Sequence, residues 1–200
     1  MKTGNGKTGR PINFDKNEAL EAAMLLFWER GYEGASMADL TQAMGLNPSS
    51  IYAAFGDKHA LFSLAVQRYL HTRAQYATEA LEQPTLRKVI RALFDNTVAF
   101  LTTPGHPPTC MTLVGAMGCS VDAAPARDLL TEVRRRNQVA IRDRLLGARK
   151  SGEFSKDINV DDYTRYLSSI LAGLSVQAAN GSTKAELRRT SLLALRHLGY

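Results

Sequence analysis

Between Ser36 and Asp57 the chain is punctuated so closely that only two short helices at a fixed angle fit the spacing. Ser36, with Asp39 three residues on, has the pattern of a helix start in which side chain and backbone cap each other. The helix it opens turns Met37, Leu40 and Met44 inward. Gly45-Leu46-Asn47 then makes a tight turn in which Gly45 supplies a positive backbone dihedral. Asn47 caps a second helix and Pro48 fits its first position, where the missing N–H costs nothing. That helix is expected over Pro48 to Phe55, stopped by Gly56, with Asp57 capping the next. Two short helices joined by a turn containing Gly form a helix-turn-helix. Leu40, Met44, Leu46, Ile51 and Phe55 set the crossing angle, which frees the other side of the second helix to face a DNA major groove.

That outer side carries Ser49, Ser50, Tyr52 and Ala53, with Ala54 nearby. Hydroxyls of Ser reach phosphates or base edges, Tyr reaches a phosphate oxygen, and Ala methyls touch thymine methyls. Lys58, just inside the next helix, adds its charge to the N-terminal amides that grip a phosphate. Each has a plainer reading: Tyr52 as a core aromatic, Ser49 and Ser50 as caps, Lys58 as a solvated lysine. The helix dipole disfavours a cation at Lys58 unless an anion meets it, which favours the phosphate reading.

Outside this segment, apolar residues recur every three to four positions and no run alternates as a strand would, so the expected class is all-α. Asp15 and Glu18 open a first helix through Leu20, Met24, Phe27 and Trp28, with Gly31 as its stop. A fourth helix follows Asp57, and the pattern restarts at Glu82-Gln83-Pro84 for a helix from Leu86 to Thr103. Pro104 to Pro108 breaks it, and Thr109 to Cys119 reads as a buried, helical, Met-containing segment. A long helix to Gly152, one from Asn159 to Asn180, and one capped by Thr183 and Glu186 complete about nine. The expected division is a basic arm and helix-turn-helix over 1–60 and a helical effector and dimerisation domain over 61–200.

Of 200 residues, 44% are hydrophobic and 22% charged, an ordinary globular balance. No run is long and apolar enough for a membrane span, and residues 1–10 lack the apolar stretch of a secretory signal. Two cysteines make no disulfide framework, and a reducing cytoplasm fits. The net charge of +6 is a weak pointer to nucleic acid, because residues 1–60 hold six Lys/Arg against seven Asp/Glu. The leading arm, with Lys2, Lys7, Arg10 and Lys16 against Asp15, is the local exception.

Gly31-Tyr32, Ser36-Met37-Ala38-Asp39-Leu40 and the run from Gly45 to Lys58, with Arg10-Pro11 ahead of the first helix, resemble the TetR family of bacterial regulators. The specific match covers roughly residues 10–65, and several fixed offsets coincide. The resemblance implies a three-helix DNA-binding domain on a helical ligand-binding and dimerisation domain, in which effector binding shifts the spacing of two reading heads. By position it implies a DNA-facing set of Arg10, Ser36, Met37, Ser49, Ser50, Tyr52, Ala53 and Lys58. Ala53 and Ala54 depart from the larger or polar side chains of many relatives, so base reading is expected to be sparse and phosphate and shape contacts to dominate.

For the second domain the expected ligand-side residues are Phe62, Phe94, Met111, Leu113, Met117 and Tyr166, in a pocket of the family's type. Cys110 and Cys119, with Met111, Met117 and His106 nearby, admit a soft-metal or thiol-sensing reading, but their spacing matches no zinc pattern and packing is the expectation. The basic run Arg134-Arg135-Arg136, with Arg142, Arg144, Arg149 and Lys150, is read first as a solvated face, with an anionic effector or a further DNA contact as the alternatives. His59, His71, His106 and His197 are scattered without a nucleophile–base, metal or phosphate-loop motif, so neither an enzyme nor a cofactor or metal site is expected. The expected function is a ligand-responsive repressor that binds a palindromic operator in double-stranded DNA as a homodimer. The competing one is a helical ligand- or partner-binding protein that does not recognise DNA.

Overall fold

The computed structural model describes residues 14–115 and 119–197, and every regular element among them is helical. Three helices form the head: α1 (Lys16–Gly34), α2 (Met37–Met44) and α3 (Pro48–Phe55). The body follows as α4 (Lys58–Thr72), α5 (Gln75–Leu81), α6 (Leu86–Leu101), α7 (Met111–Val114), α8 (Ala124–Lys150), α9 (Val160–Ala179) and α10 (Lys184–His197), with a 3₁₀ turn at Val121–Ala123.

Capping decides where the head helices start. The Asp15 carboxylate accepts from Asn17 N at 2.7 Å, and Asn47 Oδ1 accepts from Ser50 N at 2.8 Å. Ser36 and Asp39 cap each other in both directions, as their spacing predicts. Gly31 is only a partial stop: its backbone leaves the helical region at φ 72°, and one more turn carries α1 to Gly34.

Helix α1 is the platform on which the head rests. Ala23, Met24, Phe27 and Trp28 are fully buried on it, facing α4 through edge-on ring pairs Phe27–Phe62 (5.0 Å) and Trp28–Tyr69 (4.9 Å). Such pairs contribute about 0.5–1.5 kcal/mol each beyond burial. Arg68 of α4 and Arg73 just past its end both donate to Glu21 of α1, at 2.5 and 2.6 Å, and tie the same two helices along their rim.

Two expectations for the body change. A tenth helix, α5, fills the stretch before Glu82; it starts at Ala74, which offers no capping side chain, so no local start signal marks it. In the segment from Thr109 to Cys119, the described helix is the single turn Met111–Val114. Thr109 and Gly115, on either side of that turn, serve instead in a strut described below.

Candidate nucleic-acid interface and ligand cavity

Helix α3 stands on the turn as the sequence predicts. Gly45 adopts φ 64°, ψ 27°, and Ile51 and Phe55 are buried in the core that the head shares with α4. On the opposite side Ser49 and Ala53 are exposed, and Tyr52 keeps 52% of its surface, which removes it from the core. The hydroxyl of Ser49 donates to Asn47 Oδ1 at 2.8 Å, so its first task is to brace the cap. Ser50 is half-buried at the same cap and gives its backbone N–H to Asn47. Ser36 is exposed but its hydroxyl is held by Asp39, and Met37 packs half-buried against the core. Of the residues expected to face DNA, those exposed on α3 are therefore Ser49, Tyr52 and Ala53. Arg10 lies outside the described residues.

Lys58 is not a free surface cation. Its ammonium sits 4.6 Å from the centroid of the Tyr32 ring, half-buried, with Glu33 near. Burial lowers its pKa and Glu33 partly offsets that. The cation–π contact with Tyr32 fixes the ammonium at the start of α4.

Beneath the head, three hydrogen bonds among the described residues join α1 to Thr109, Gly115 and Ser120. Trp28 Nε1 donates to the Thr109 carbonyl (3.0 Å), Tyr32 N to the Gly115 carbonyl (2.8 Å), and Ser120 N to Glu33 Oε2 (2.8 Å). Hydrogen bonds from Ser120 hold the Glu33 carboxyl below its usual range. Gly115 is needed at this joint: a Cβ there would lie 2.6 Å from the Met111 carbonyl oxygen. Trp28 also stacks on His106 (4.6 Å) and Phe100 (5.7 Å), so the body closes over its ring.

Between Thr109 and Gly115, residues Cys110, Thr112 and Leu113 line a cavity of about 380 Å³ between α5, α6, α8 and α9. Its walls are mainly apolar, with Leu81, Leu93, Leu101, Leu113, Ile141 and Leu171. Of the expected ligand-side residues, Leu113 lines it. Phe62, Phe94 and Met111 are corrected to core positions: each is 0% exposed, Phe62 among Phe27 and Tyr32 of the head. Tyr166 is 46% exposed on α9 and does not line the cavity, because α9 turns that position outward. Met117 lies outside the described residues. Spacing alone missed Tyr76, Thr97, Cys110 and Arg134, which line the cavity from three helices and one loop that only folding brings together.

The basic run in α8 divides accordingly. Arg135 and Arg136 both donate to Glu132, holding its carboxyl down to about 2, and are solvated. Arg134 instead turns inward to the Thr112 carbonyl and to Thr131 Oγ1. Among the described residues no group of His, Cys, Asp and Glu could hold a metal ion. Burial and the neighbouring Glu33 push the Cys119 thiol up, away from thiolate, and Cys110 Sγ accepts from Tyr69 at 3.5 Å.

A capped helix-turn-helix whose outer face is open, braced on a helical body with its own cavity, defines a DNA-binding transcriptional regulator. The chain belongs to the TetR family: residues 19–65 match the bacterial regulatory proteins of the tetR family, and residues 85–191 match the tetracyclin repressor-like C-terminal domain. It is similar to the transcriptional repressor ComR of Escherichia coli K12, at 27% identity over 94% of this chain and 90% of that protein. The uncharacterised regulator YezE of Bacillus subtilis 168 is 31% identical over 80% of this chain and 83% of its own. Among solved structures, a cysteine mutant of the TetR-family regulator CifR, complexed with 26-base-pair double-strand operator DNA, is 35% identical. It covers 94% of this chain and 98% of its own, with a TM-score of 0.88. No described helix is long and apolar enough to cross a membrane.

Proposed function

We propose that the chain is a homodimeric, cytoplasmic repressor that releases a palindromic operator when a small molecule fills the cavity. The observation that carries this reading is the strut: Thr109, Gly115 and Ser120 touch the head at Trp28, Tyr32 and Glu33, and Cys110, Thr112 and Leu113 between them line the cavity. Anything that moves the cavity wall pulls on the platform beneath α2 and α3. ComR and BdcR of Escherichia coli, named as repressors, and CifR with its operator support repression through DNA.

Dimerisation follows from α9 and α10, which leave Tyr166, Val176, Leu192 and Leu193 at 46–59% exposure. Large apolar side chains left exposed on two neighbouring helices suit a contact, and two helices from each protomer form a four-helix interface. Two heads so joined would sit about 34–36 Å apart, one turn of duplex. The reading unit is α1–α3 and the sensing unit begins with α4, close to the boundary at residue 60. Phosphate contacts are assigned to Tyr52, Lys58 and Arg10, groove contacts to Ser49, Ser50 and Ala53, and flanking contacts to Ser36 and Met37.

Footprinting across the gene's own upstream region tests this, with wild type against a Lys58→Ala, Tyr52→Phe pair. Protection of a palindrome, weakened at least tenfold by the pair at every DNA sequence, is expected. No salt-dependent preference for any upstream site would overturn it.

A further inference from the structure

The cavity is chemically one-sided. Apolar atoms, largely of leucine, isoleucine and alanine, make most of its surface, its polar groups are hydroxyls, amides and one thiol, and among the described residues Arg134 is its single charged one. Among the described residues no carboxylate lines it. An apolar pocket with few polar groups takes its orientation from those few. Here the strongest is a guanidinium, whose planar fork matches a carboxylate. Two of its five N–H groups are taken, by the Thr112 carbonyl and by Thr131 Oγ1. A cationic ligand would meet Arg134 with nothing to balance it, and a purely apolar one would cover the remaining donors without pairing them.

The partner that Arg134 now holds is also informative. Thr112 lies in the α7 turn, three residues before Gly115, whose carbonyl accepts the Tyr32 amide. Arg134 thus steadies the strut at the point where the cavity ends and the joint with the head begins. We infer that the cavity takes a small amphiphile with an apolar body and one carboxylate or similar oxyanion, anchored by Arg134 in competition with the Thr112 carbonyl. This rests on reading the cavity as the effector site. Capture of the anion turns the guanidinium away from Thr112, and the α7 turn loses a constraint on the Gly115–Tyr32 bond. Ligand recognition and release of the head are then one event at one side chain.

The test uses the full chain and three probes of equal length: decanoate, methyl decanoate and decylamine. Calorimetry on wild type should show the carboxylate binding at least tenfold more tightly than the ester or the amine. Arg134→Gln should bind acid and ester alike, and Arg134→Lys, which keeps the charge, should restore part of the preference. Amide exchange at Tyr32 should speed up with decanoate in wild type and not in Arg134→Gln. Equal affinity for acid and ester in wild type, or no binding of the acid, overturns the ligand class. Unchanged exchange at Tyr32 overturns the competition. An Ala172→Trp variant, with its ring filling the cavity, should bind none of the probes; if it binds decanoate as wild type does, the ligand sits elsewhere and the effector reading fails too.

Discussion

The head and the cavity are built by opposite means. The capping residues that bound the reading helix each lie within a few positions of their partner: Ser36 with Asp39, Asn47 with Ser49 and Ser50, Asp57 with Ala60. The cavity collects Tyr76, Thr97, Cys110, Arg134 and Ser175 from places up to a hundred residues apart. Local bonds specify a shape that the chain can announce in its spacing, whereas a cavity is what long-range packing leaves over. Function that must present one fixed surface is served by the first, and function that must vary its ligand by the second.

If the two parts behave as one body, substitution at their junction should have the largest effect. Trp28→Ala removes a fully buried ring that α4, α6 and the 106–109 loop all touch. It should cost about 3–5 kcal/mol in urea unfolding, in a single transition. Two separate transitions would show that head and body are not one cooperative unit. Gly115→Ala should follow at about 1–3 kcal/mol, since the new methyl presses on the Met111 carbonyl and Leu130. Operator affinity measured beside stability would show whether the joint transmits as well as holds.

Smaller effects belong to the head alone. Ser36→Ala removes the cap of α2 and should cost about 1 kcal/mol in unfolding, with ligand affinity unchanged in calorimetry. Its partner Asp39 gives the smallest signal. Hydrogen bonds from Ser36, then Arg30, hold the Asp39 carboxyl below its ordinary 3.8. A lowered folded-state value means the stabilisation is whole above the unfolded value and disappears as pH falls through the folded one. Acid titration of the urea midpoint should therefore show Asp39→Asn losing part of the drop that wild type suffers below pH of about 4.

What could be read from the sequence follows the same divide. The limits of α2 and α3, the turn at Gly45 and the open face with Tyr52 all came from capping residues and turn chemistry. Helix α5 did not, because Ala74 and Glu82 at its ends carry no stop or start signal and Tyr76 and Ala80 simply extend the apolar pattern. Nor did the ligand side. Phe62 and Phe94 looked like pocket residues because aromatic side chains suit both a pocket and a core, and only burial separates the two. Arg134 stood hidden among its neighbours, since one helical step decides that Arg135 faces water while Arg134 faces the cavity.

At the joint itself two glycines meet, Gly31 of the platform and Gly115 of the strut, with the Gly115 carbonyl oxygen 3.3 Å from where a Cβ on Gly31 would stand. Main chain rests on main chain there, so the spacing between the two parts is set by atoms that every residue shares. An engineer can therefore recarve the cavity for a new inducer, side chain by side chain, without altering the length of the linkage that the inducer must work through.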